Sequence, residues 1–343
     1  MTFPLFRRAT PALRLALLVL ALATPLLHLP TASAQLALPN MGDGADITTS
    51  EERRLGDRII RSLYRDPDYI DDLQLHAYVM DIWLPLVQTS KDRGDMSQEL
   101  QERFAWQVLL GRDKSINAFA LPGGYLGVHL GLIGAVTSRD ELASVMAHEL
   151  THVTQRHIAR MIGEEKKSTP LLIAGMILGA LAASKSPDAA NAMIVGGQAA
   201  AIQNQLGFSR DMEREADRIG SSLLAPAGFA PQGAVSMFEK LQYASRLNDN
   251  GSWPYLRSHP LTTERIADMQ ARIPHGQQQA AQPTMEHAMM AARARVLSRP
   301  GTDKLRQWSR QPQMPEFAQL SAIDQAGQLY AAALSQIQLK DWE

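Results

Sequence analysis

Apolar positions recur at helical spacing along most of the chain and give way to strand-like alternation in one short region. Helical signals begin at Thr49, with Glu52 three positions on as a capping box, and run to about Leu86. Strand character follows at Phe104–Leu110 and Ile116–Leu121. Pro122-Gly123-Gly124 then signals a turn, and Tyr125–Leu130 is the returning strand of a hairpin. Ser138 and Glu141 form a second capping box, opening a helix expected from Arg139 to about Gly163. Further helices are expected over Arg210–Leu224 (closed by Pro226 and Gly228), from Pro231, and over Thr262–Arg272. Residues 273–284 form a polar linker, and helical periodicity returns at Met285–Leu297 and Ile323–Gln338. The pattern therefore predicts an α+β body, mostly helical with a small sheet, and an all-helical tail.

The N-terminus departs from this pattern. Arg7, Arg8 and Arg14 precede an apolar run from Leu15 to Leu27, and Ala32-Ser33-Ala34 offers a small-x-small cleavage site. Residues 1–34 are thus expected to be a cleavable export signal, with 35–48 an extended leader. Two other apolar stretches, Leu171–Ala183 and Ala189–Ile202, are shorter than the roughly 20 residues a spanning helix needs. They predict buried or interfacial helices, so membrane association is expected to be peripheral at most. A net charge of -1, with no basic run, gives no footing for nucleic acid. The chain has no cysteine, which removes disulfides, thiolate nucleophiles and thiolate metal ligands. Any bound metal must be held by nitrogen and oxygen.

The chemistry concentrates in Ala147-His148-Glu149-Leu150-Thr151-His152. On a helix, positions i and i+4 share a face, so two imidazoles can grip one ion, with Glu149 beside the place of a bound water. A catalytic zinc commonly takes three protein ligands. The pattern with a third histidine further along the same helix fails, because Gln155 and Ile158 stand where it needs glycine and histidine. His157, one position out, is expected to face away and to be structural. A carboxylate from another helix is the alternative, and Glu213-Arg214-Glu215-Ala216-Asp217 supplies one. Glu213 is assigned as ligand. Asp217, four residues on, can accept the Nδ1 proton of a ligand histidine. Glu215 lies about 200° around the helix from Glu213 and is excluded from the same site.

Taken in order, Asn117-Ala118-Phe119-Ala120-Leu121-Pro122-Gly123-Gly124, the His148–His152 motif, Glu213–Asp217, and Ser258-His259-Pro260 with Arg265 resemble the zinc metallopeptidases related to the CaaX prenyl protease and HtpX. Within these, the chain looks most like the soluble periplasmic branch of Gram-negative bacteria, over residues 48–272. The resemblance implies a zincin-type domain over 49–272 and one zinc ion per chain, held by His148, His152 and Glu213. It implies Glu149 as base and Asp217 as a proton donor or supporting acid. His259 would sit over the zinc as an occluding ligand or transition-state contact, with Arg265 nearby. Asn117, Ala118 and Phe119 would be an edge strand beside the substrate cleft.

The expected function is therefore that of a periplasmic zinc endopeptidase, acting in quality control and assembly of outer-membrane proteins. Its substrates would be unfolded or misassembled outer-membrane proteins, and the outer-membrane assembly machinery a possible partner. The alternative is a latent protease that works mainly as a chaperone or assembly factor. Residues 285–343 are a helical tail, in which Ala326–Glu343 resembles the first helix and turn of a tetratricopeptide unit. One such helix cannot bury its apolar face alone, so the tail is either incomplete or docked on the body.

Overall fold

Helix α1 (Thr49–Leu63) starts one residue earlier in its capping than the sequence suggests. Thr48 is the N-cap, and it completes a reciprocal box with Glu51. Glu52 is drawn elsewhere: it is buried against Arg156, with Nε to Oε2 at 2.9 Å. A buried carboxylate with an arginine partner cannot also serve a surface cap, so the box shifts to the exposed Glu51. The structure is a computed structural model, which describes residues 47–164, 209–246, 254–273 and 282–340. The expected signal segment, nearly all of the leader, the two apolar stretches between 171 and 202, and most of the linker lie outside these residues.

Helix α2 (Leu73–Asp92) and the short α3 (Gln98–Arg103) lead to the sheet. Its strands are β1 (Gln107–Gly111), β2 (Ala118–Leu121) and β3 (Tyr125–His129), in the order β1-β3-β2. β1 runs parallel to β3, and β2 is antiparallel to it, with Phe119 opposite Gly127. The β2–β3 turn needs its glycines: Gly123 and Gly124 have φ of 79° and 84°, which side-chain-bearing residues rarely adopt. Asn117 and Phe119 pair inward, as the bond from His129 N–H to Asn117 C=O shows. By antiparallel alternation, Ala118 and Ala120 turn their backbone groups to the free edge.

The short α4 (Leu130–Ala135) connects to α5 (Arg139–Thr154). Ser138 caps α5 as expected, accepting from Glu141 N–H. Glu141 does not complete the box; its carboxylate takes the Thr137 N–H at 2.7 Å and Lys240 Nζ at 2.6 Å. The helix expected to reach Gly163 stops at Thr154. Arg156 adopts a left-handed backbone (φ 52°), its guanidinium is anchored on Glu52 and Ile47 C=O, and the chain restarts as α6 (His157–Glu164). Helix α7 (Arg210–Leu224) matches its predicted span. It lies against α5 at Gly220, where a Cβ would sit 3.0 Å from the backbone of Ala147 and His148. That close approach brings Glu213 and Asp217 within reach of the α5 histidines.

Helix α8 (Gln232–Arg246), the turn α9 (Tyr255–Ser258) and α10 (Thr263–Arg272), N-capped by Thr262, complete the body. Its core has a large apolar cluster that includes Trp83, Leu86, Leu126, Leu130, Met146 and Leu150, and a smaller one that includes Leu55, Ile59, Leu109 and Tyr125. The tail consists of α11 (Met285–Leu297), α12 (Thr302–Arg310) and α13 (Ala322–Leu339), with two short 3-10 turns between the last two. α11 docks on the body. His287 is buried, with Nε2 2.9 Å from Val136 C=O and Nδ1 2.6 Å from the Tyr78 hydroxyl. Burial pulls its pKa down, so the ring is neutral, donating to Val136 and accepting from Tyr78. Arg293 adds a two-pronged ion pair to Asp72 at 2.8 and 2.7 Å. No helix among the described residues is long and apolar enough to cross a membrane.

Candidate metal centre

Helix α5 is buried over nearly its whole length, so His148, Glu149 and His152 meet protein on every side. From α7 comes Glu213, and from the turn after α9 comes His259. His148, His152, Glu213 and His259 are all buried, and each offers a ligand atom within 4.8 Å of the others. His148 Nε2 lies 3.0 Å from His152 Nε2 and 3.4 Å from Glu213 Oε2. His152 Nε2 lies 3.4 Å from Glu213 Oε1. His259 Nδ1 is 3.0 Å from Glu213 Oε1, and its Nε2 is 3.3 Å from Glu149 Oε1.

The outer groups hold these rings in place. His148 Nδ1 meets Asp217 Oδ1 at 3.0 Å. Arg265 clamps the same carboxylate, Nε to Oδ2 at 2.6 Å and Nη2 to Oδ1 at 2.8 Å, and places Nη1 2.8 Å from Glu213 Oε2. Glu149 receives the N–H of Ala120, from the free edge of β2, on Oε2 at 2.9 Å. Its other oxygen has no hydrogen-bond donor, since the His259 nitrogen beside it lies off the bonding direction.

The electrostatics favour a cation at the centre. Burial works against a charged His148, yet hydrogen bonds to Asp217 and Glu213 and their charges outweigh it and push the ring up to about 10. His152 is held neutral by burial and by the charge on His148. Burial raises Glu149. Glu213 and Asp217 stay ionised against burial, through His259 and His148 for the first and Arg265 and His148 for the second. At that pKa the metal-free His148 carries two hydrogens, Nδ1–H given to Asp217 and Nε2–H facing His152 Nε2 3.0 Å away. A divalent ion bound there would take the place of that Nε2 proton, as a positive centre shared by the two imidazoles and the Glu213 carboxylate. Two imidazoles and a carboxylate form a donor set suited to zinc, so these residues fit one divalent ion.

The structure brings His148, Glu149, His152, Glu213, Asp217, His259 and Arg265 together. The edge strand Asn117-Ala118-Phe119 lies alongside through its neighbour Ala120, with Asn117 Oδ1 buried and lacking a donor. One expectation is corrected. His157 does not face away: its Nδ1 is 2.7 Å from His152 Nδ1, and its Nε2 is 3.0 Å from Glu215 Oε2. The helical break at Arg156 swings the ring inward, which a continuous helix would not do. Glu215 stays outside the four-residue cluster, as its helical phase requires, but it touches the site through His157. The Tyr255 ring, stacked on His259 with centroids 4.5 Å apart, was not visible in any sequence pattern.

Comparison with known proteins agrees with this geometry. The profile of peptidase family M48 matches residues 91–273. A Vibrio cholerae relative is 35% identical over 289 residues, covering 82% of this chain and 56% of its own. The beta-barrel assembly-enhancing protease of Escherichia coli is 33% identical over 274 residues, covering 78% of this chain and 53% of its own. A mitochondrial metalloendopeptidase of Arabidopsis thaliana is 33% identical over 185 residues, 54% of this chain and 35% of its own. The chain spans about half the length of the bacterial relatives it matches.

Proposed function

The chain belongs to peptidase family M48, and from that premise we propose that it is a zinc-dependent endopeptidase of the periplasm, acting in the assembly and quality control of outer-membrane proteins. The observation that carries the reading is the buried convergence of His148, His152 and Glu213 beside Glu149. That the Escherichia coli relative is a beta-barrel assembly-enhancing protease supports a protein substrate and a part in β-barrel assembly.

A zinc ion bound by His148, His152 and Glu213 would lower the pKa of a water and polarise the scissile carbonyl. Glu149, anchored by the Ala120 N–H through Oε2, keeps Oε1 free to take a proton and pass it to the leaving nitrogen. Asp217 fixes the Nδ1 proton of His148, which turns Nε2 inward as a lone-pair donor. Arg265 holds Asp217 and Glu213 in register. The free edge of β2, at Asn117–Phe119, is where an extended substrate chain would pair. The tail helix α13 exposes Leu329 and Ile337 by about half, an apolar face suited to a tetratricopeptide-like contact with a partner. The test is metal content: the purified wild type should carry about one zinc per chain and Glu213→Ala almost none. Equal zinc in the two would overturn the reading.

A second reading, a latent protease that serves mainly as a chaperone, is favoured by His259, whose ring bridges Glu213 and Glu149 and fills the space a substrate carbonyl would need. If the site is a latent enzyme, His259→Ala raises casein cleavage, on the order of tenfold for about 1.4 kcal/mol of relieved occlusion. No rise, with zinc retained, favours the chaperone.

A further inference from the structure

We infer that His157 and Glu215 form a relay that fixes the tautomer and orientation of His152, as Asp217 does for His148. The inference rests on the reading that His148, His152 and Glu213 hold a metal.

The order of protons follows from the contacts. Ionised Glu215 can only accept, so His157 Nε2, 3.0 Å from Oε2, carries a hydrogen. Only one hydrogen fits between the two Nδ1 atoms, and a His152 that offers Nε2 to an ion keeps its own hydrogen on Nδ1, so His157 Nδ1 is the acceptor. The nitrogen facing it at 2.7 Å, His152 Nδ1, must be the donor. His152 Nε2 is left as the lone-pair atom, and that is the atom turned toward His148 and Glu213. The opposite arrangement, with both His157 nitrogens protonated, would put a hydrogen on His152 Nε2 and disable it as a ligand.

The surroundings favour the first arrangement. The His157 and His152 side chains are both fully buried, so no solvent competes for the shared proton. Glu215 is itself held by Arg160 Nη1 at 3.0 Å. Each ligand imidazole is therefore backed by a carboxylate, and each carboxylate by an arginine: Asp217 with Arg265, and Glu215 with Arg160. The left-handed turn at Arg156 is what makes the second arm possible, because it alone brings His157 back onto His152. Contacts of this kind strengthen the ligand and narrow its geometry.

The test uses the full chain and zinc alone, with affinity read by competition against a chelator. His157→Phe, which fills the space but accepts no proton, should weaken zinc binding about 10- to 100-fold. It should also shift the visible absorption of the cobalt-loaded protein. His157→Gln, whose amide oxygen can accept from His152, should recover much of the loss, and Glu215→Ala should fall between. A folded His157→Phe that binds zinc as tightly as wild type, with an unchanged cobalt spectrum, overturns the relay. If that variant does not fold, Glu215→Ala decides in the same way. Failure of the metal reading looks different: Glu213→Ala then keeps its zinc. Loss of zinc in Glu213→Ala together with full affinity in His157→Phe rejects the relay alone.

Discussion

Glu149→Gln is expected to reduce peptide hydrolysis by about 10²- to 10⁴-fold, the range that one positioned general base contributes, while zinc content stays at the wild-type level. The two side chains are nearly isosteric. Glutamine keeps an oxygen for the Ala120 N–H that now binds Oε2 at 2.9 Å, so the local frame survives. What disappears is the proton-accepting oxygen, Oε1, which has no hydrogen-bond donor in the resting site. Glu149 is fully buried and its pKa is raised by that burial, which moves a carboxylate toward the strength a base needs near neutral pH. Removing a buried charge should leave stability unchanged or slightly higher. Cleavage of an unfolded substrate such as casein, measured beside zinc content and a urea melt, separates these effects. A zinc-loaded Gln variant that cleaves at the wild-type rate would eliminate Glu149 as the base.

The parts of the site that lie on one helix were readable in the sequence. His148, Glu149 and His152 needed only helical periodicity, and Glu213 with Asp217 needed the same rule applied a second time. The span of α7 followed from its flanking breakers and coincides with the observed helix. His259 and Arg265 were placed only by family resemblance, because their roles depend on how the turn after α9 packs against α7, and spacing carries no trace of that. Two of the departures share one cause, while the Ser138 box stays incomplete because Glu141 is taken by Thr137 and Lys240. The capping box at Thr49 failed because Glu52 is claimed by Arg156, more than a hundred positions away. Unbroken helical periodicity turns His157 outward, whereas the chain breaks at Arg156, whose left-handed backbone is stabilised by that same Glu52 contact and by Ile47 C=O. One long-range ion pair thus accounts for both departures, and local pattern cannot anticipate it.

Arg265→Ala should have the largest effect on stability, about 3–5 kcal/mol, as expected when one partner of a buried ion pair is removed. The guanidinium is almost fully buried and meets two carboxylates that lie four residues apart on α7. Without it, Asp217 keeps only His148, and Glu213 loses its nearest permanent cation. The two like charges then face each other across a site from which water is excluded. Arg265→Lys keeps a charge but not the planar fork that takes both Asp217 oxygens, so it should recover only part of the loss. The acid limb gives an independent sign. Burial alone would raise the Asp217 carboxyl; Arg265 and His148 hold it below its ordinary value of 3.8. A depressed carboxyl contributes stability that is fully present above its unfolded pKa and is lost as pH falls through the folded one. Removing Arg265 lets burial dominate, so acid unfolding should begin at a higher pH than in the wild type. Urea midpoints at neutral pH and an acid titration of the metal-free protein measure both effects. If Arg265→Ala melts with the wild type and unfolds in acid at the same pH, the Arg265 clamp does not hold Asp217 and Glu213 together.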